Sequence, residues 1–124
     1  MASMERKRSF TYEAGADLSD DQFKFMKISS GQAVLNDTAG GSCLGVLITP
    51  ASAQGRACEV ASGPGQIIKV QAGATVAQDA KVQSDDSGLA ITAASGDHVQ
   101  GIALTGGDSG ELIEVLLQSE HILA

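Results

Sequence analysis

The chain of 124 residues has no tryptophan, one tyrosine and three phenylalanines, so aromatics make up only 3% of it. A core must therefore come from valine, isoleucine, leucine and alanine, each large aliphatic side chain adding about 1.5–3 kcal/mol on burial. The same scarcity counts against a sugar-binding platform of stacked aromatic rings. Basic residues are few as well: 8 Lys and Arg against 15 Asp and Glu leave a net charge of −7. Phosphate recognition needs clustered Lys and Arg, so nucleic acid is not an expected partner. No apolar run approaches the roughly 18 residues of a membrane span, and the N-terminus lacks the apolar centre of a signal peptide. No membrane partner is expected, and synthesis and assembly in the cytoplasm are. With two cysteines and no ligand set at suitable spacing, neither a metal nor another cofactor is expected.

Glycine, by contrast, is abundant, with 15 residues. Residues 73–117 contain Gly-Ala-Thr-Val-Ala-Gln-Asp-Ala-Lys-Val, then Ser-Gly-Leu-Ala-Ile-Thr, Val-Gln-Gly-Ile-Ala-Leu and Gly-Glu-Leu-Ile-Glu-Val-Leu-Leu. Short apolar runs closed by Gly, Asp or Ser read as strands between turns. The first half carries the same marks. Lys24-Phe25 falls on Lys81-Val82, Gly31 on Gly88 and Val34 on Ile91 at a spacing of 57. Gly40 falls on Gly96 and Gly45 on Gly101 at 56, then Gly55 on Gly110 and Glu59-Val60 on Glu114-Val115 at 55. Such self-similarity predicts one domain made of two related β-units.

The expected fold is mainly β, a small antiparallel β-barrel or sandwich spanning residues 16–124, with the repeat at about 17–60 and 74–117. Strands are expected over 22–28, where Phe23 and Phe25 would share a face, and near 44–48, 57–60, 66–70, 80–83, 89–92, 99–104 and 112–117. Ser19-Asp20-Asp21-Gln22 has a capping-box pattern and predicts one helical turn. Beyond the last strand, Ile122 and Leu123 pack on a neighbouring subunit or fold back. The thin aliphatic core and the ordering cost of glycine mean that such a fold gains from burial against neighbours.

Residues 1–15 read as an extended N-terminal arm. Charge is uneven, with +1 over residues 1–13 and −8 over the remainder. Arg6, Lys7 and Arg8 precede the alternating Ser9-Phe10-Thr11-Tyr12, a segment suited to joining a partner's sheet edge. The alternative is a disordered terminus with Met4 as the original start.

The residues that invite chemistry have plainer readings. Cys43 aligns with Val99 and Cys58 with Ile113, so each is expected to be a small buried hydrophobe. Asp97-His98, near Ser95, occupies a turn whose counterpart is Gly41-Ser42, so the frame requires no acid–base pair there. His121 has no neighbour in the sequence suited to catalysis. Asp85-Asp86-Ser87-Gly88 lacks the spaced ligands of a calcium loop and reads as a hairpin turn with Gly88 at positive φ. Lys81 does not sit in the acidic tight turn of a lipoyl-bearing lysine. No catalytic, cofactor-binding or metal-binding residues are assigned, and the chain is expected not to be an enzyme.

The Gly-x-x-Val-x-x-Asp-x-Val-like opening, the Ser-Gly turn, the Val-x-Gly-Ile-Ala-Leu strand and the closing Gly-Glu-Leu-Ile-Glu-Val-Leu-Leu together resemble the phage capsid cement, or head decoration, proteins. The resemblance covers roughly residues 16–118. It implies a small β-rich virion protein on the outer surface of an icosahedral phage head. There it would stabilise the shell by bridging major capsid protein subunits, typically as a homotrimer. The arm residues Arg6, Lys7, Arg8, Phe10 and Tyr12 are the expected capsid-gripping set. The alternatives are a β-clip or barrel-sandwich module that binds a small ligand, and a tail or baseplate component.

Overall fold

Alternating apolar residues between Gly, Asp and Ser turns favour strands. The computed structural model describes residues 9–124, and among them ten strands form and no helix. They are β1 (Ser9–Glu13), β2 (Phe25–Ser29), β3 (Gln32–Leu35), β4 (Gly45–Thr49), β5 (Ala57–Ala61), β6 (Ile67–Gln71), β7 (Lys81–Ser84), β8 (Ala90–Thr92), β9 (His98–Ala103) and β10 (Leu112–Ile122). The first five make an antiparallel sheet in the order β1-β5-β4-β2-β3, and the last five make another in the order β6-β10-β9-β7-β8. Adding five to each label turns the first order into the second. The sequence repeat is thus a structural one, with unit one over residues 9–61 and unit two over 67–122.

Of the barrel and sandwich alternatives, the closed barrel does not form. A single parallel bridge, Ala14 to Ala33 in unit one and Ala72 to Ala90 in unit two, joins the two edges of each sheet. Closure would need a ladder there.

Two glycines set the common register. Met26 pairs with Gly45, and Val82 with Gly101. A Cβ on Gly45 would collide with the carbonyl oxygen of Ala61, and one on Gly101 with that of Leu116. Met26, not Phe25, is therefore the counterpart of Val82, a correction of one residue to the sequence alignment. The difference is absorbed at the next turn. In unit one, Ser30 and Gly31 (φ 51° and 77°) close a two-residue hairpin in the mirror-image turn that suits strand twist. In unit two the connection from Ser84 to Ala90 is longer. Gly88 sits there at φ 74°, as expected, and the Asp85 carboxylate accepts the N–H groups of Ser87 and Leu89.

Each sheet has an inner face with its own core. In unit one Met26, Leu47, Cys58 and Val60 pack with Leu18 and Ala51 from loops. In unit two Val70, Val82, Ala103, Ile113, Val115 and Leu117 pack with Val76. That second core also takes in Phe25 and Val46, which lie on the outer face of unit one, and so joins the units. Polar groups tie the same seam. Asn36, almost fully buried, donates to Ser84 Oγ at 2.8 Å, and the Phe25 N–H donates to the Gly88 carbonyl at 2.7 Å.

Several sequence expectations are corrected. Phe23 sits in a turn at φ 65°, ahead of β2, and does not share a strand face with Phe25. Ser19 and Asp20 form a turn and no helical turn, because the Asp17 carboxylate takes both the N–H and the hydroxyl of Ser19. Ser9–Glu13, read as part of an arm, pairs with the chain's own β5 in the place that β6 occupies in unit two. The last strand continues through a register shift after Leu117 to pair His121 with Val99 and Ile122 with His98. The tail then folds back, with Leu123 exchanging backbone hydrogen bonds with Gly96 and Asp97.

Candidate functional site

A cluster of chemically capable side chains lies where the units meet. Glu120, on the extension of β10, accepts hydrogen bonds from Ser42 Oγ (2.7 Å), the Cys43 N–H (3.0 Å) and Gln100 Nε2. His98 Nδ1 stands 3.7 Å from its carboxylate. Partial burial alone would raise the Glu120 pKa. The donors from Gln100, Ser42 and the Cys43 backbone, with His98 beside them, outweigh it and hold the carboxyl below its usual value. Next to it Cys43 is half-buried, and burial together with the Glu120 charge pushes its thiol up to about 12. Cys58 is buried, and its pKa is raised for the same first reason. Both thiols are protonated at neutral pH and pack as hydrophobes, which is how the repeat reads them. The adjoining cleft holds only about 140 Å³ between Phe25, Cys43, Gln100 and Leu117. Among the described residues no three His, Cys, Asp or Glu side chains gather as metal ligands. The arrangement clamps the loop before β4 to β9 and β10. Glu120 gives no sign in the sequence, because it lies 78 residues from Ser42 and the repeat has no second copy of it.

Of the expected capsid-gripping residues, Arg6, Lys7 and Arg8 lie outside the described residues. β1 brings Phe10 and Tyr12 to one face, opposite Val60 and Cys58. Phe10 is 41% exposed, whereas Tyr12 is half-buried against the core of unit one.

An apolar row that the sequence reading does not single out crosses the outer face of unit two. Ile67, Leu116, Ile102 and Lys81 are successive cross-strand partners on the outer face of unit two. Ile67 is 58% exposed, Leu112 further along β10 is 50% exposed, and Leu116 and Ile102 are half-buried. Contiguous exposed aliphatics on a sheet mark a surface for association. Only the strand register reveals the row, since its members come from four strands.

The sequence profile described as phage cement protein matches residues 20–118. The chain belongs to the phage cement protein family. Membership makes it a structural protein of the phage virion, and the glycines and apolar runs that carry the resemblance lie almost entirely within the matched span. No curated protein sequence matches this cement-family chain. Among solved structures, the N base of head fiber gp8.5 in bacteriophage phi29 is similar, with a TM-score of 0.59 at 18% identity, over 91% of this chain and 98% of that one. At that identity the similarity is one of fold. The cement fold here offers surfaces, and its polar cluster serves to lock one unit against the other.

Proposed function

We propose that this protein decorates the outside of an icosahedral phage head as a homotrimer and stabilises it by bridging major capsid protein subunits. The family match over residues 20–118 carries the reading. The two sheets act as layers of a sandwich that presents surface, and the role is mechanical. A trimer spanning neighbouring capsomers makes several contacts at once, so each weak contact gains from effective concentration. An interface of standard size, about 1,600 Å² in total, repeated over the shell resists internal pressure. Arg6, Lys7 and Arg8 grip the capsid, and β1, with Tyr12 packed into unit one, anchors the segment that carries them.

The test is titration of the purified protein onto emptied, expanded heads that lack it. Saturation at a fixed ratio to capsid subunits, with heads that withstand more heat, is the expected result. Heads that take up no protein would overturn the proposal.

A further inference from the structure

The chain uses one face twice and covers it once. On the outer face of unit one, Ser9, Ala61, Val46 and Phe25 are successive cross-strand partners. On the outer face of unit two the same strands, in the same register, place Ile67, Leu116, Ile102 and Lys81. Ala61, Val46 and Phe25 are fully buried, and the last two share a core with Val82, Val115 and Leu117 from the inner side of unit two. Among the described residues nothing covers the row of unit two in this way, and Ile67 is 58% exposed.

The complementary half is open too. Where unit two receives unit one, Ser84 and Gln100 are buried and Ile68 packs against the shared core. Their equivalents in unit one are Ile28, Leu44 and Phe10. Ile28 is 47% exposed and Phe10 41%, and Ile28 and Leu44 border a depression of about 350 Å³. Among the described residues, each molecule therefore leaves open the outer row of unit two and, on the inner face of unit one, Ile28 and Phe10 beside a core that is itself buried.

We infer that a second copy of this chain covers both. The outer row of unit two in one copy seats on the inner face of unit one in the next, continuing between molecules the interface that joins the units within one. The inference rests on the reading of a self-assembling virion protein and deepens it by naming the two faces. Such an interface is heterologous, so it closes into a ring or runs on as a filament. A ring of three is the closure that a homotrimer needs.

Two variants test this, Ile67→Glu on the outer row and Ile28→Glu on the inner face. Leu112→Glu and Phe10→Asp form an independent pair should either of the first two melt early. Masses are read by sedimentation over a concentration series. Wild type is expected to be oligomeric and each variant alone monomeric. A mixture of the two variants retains one intact junction and stops at a dimer. A monomeric wild type, a variant that keeps the wild-type mass, or a mixture that stays monomeric would overturn the inference. Binding to heads is read separately. Monomers that saturate heads would sink the head-to-tail contact and leave the decoration role standing, and oligomers that ignore heads would do the reverse.

Discussion

Glu120 shows how a single side chain holds two units together. Its carboxylate bonds the Ser42–Cys43 loop of unit one and Gln100 of unit two. Because its pKa is depressed in the folded chain, its contribution is complete above the usual Glu value of 4.5 and is lost as the pH falls through the lower folded value. Glu120→Gln keeps the shape and removes the charge. At neutral pH it should cost about 1 kcal/mol, less than a buried charge-assisted hydrogen bond because solvent screens this partly exposed site. The melting temperatures of variant and wild type should converge as the pH drops below 4.5. Curves that stay parallel down to acid pH would show that the carboxylate is not the clamp.

At the scale of elements, β1 separates two roles that the sequence ran together. Deleting residues 1–8 removes the basic cluster and leaves the β1–β5 ladder intact. It should weaken binding to heads without moving the melting temperature. Deleting residues 1–13 also strips β5 of its partner and takes Tyr12 from the core of unit one. That deletion should lower stability by several kcal/mol, since an uncovered strand and a lost core aromatic each cost a kcal/mol or more. Equal thermal stability of the two truncations would contradict the pairing of β1. The strands β6 to β9 were legible to within a residue or two, because short apolar runs there lie between turns rich in Gly, Asp or Ser. The place of β1 was not, since Ser9-Phe10-Thr11-Tyr12 shares only its alternation with Ile67-Ile68-Lys69-Val70. The extension of β10 was hidden as well, because Gln118-Ser119-Glu120-His121 is polar throughout and shows no alternation. The open row on unit two was beyond reach, since it depends on a register fixed by Gly101 and Leu116 in space.

At the scale of the whole molecule, cooperativity rests on the side chains that cross between units. Phe25 belongs to a strand of unit one but is buried in the core of unit two, while its neighbour Met26 points into the core of unit one. Truncation to Ala should cost about 3–5 kcal/mol at Phe25 and about 2–5 kcal/mol at Met26, because both are large and fully buried. The consequences for cooperativity should differ. Met26→Ala weakens one core and leaves the seam, so the chain still unfolds in one step. Phe25→Ala opens the seam itself, and the units should then melt separately, with a calorimetric enthalpy larger than the van't Hoff value. A single two-state transition in Phe25→Ala, shifted no differently from that of Met26→Ala, would mean that Asn36, Glu120 and the backbone bonds across the seam suffice to couple the units without the shared apolar core.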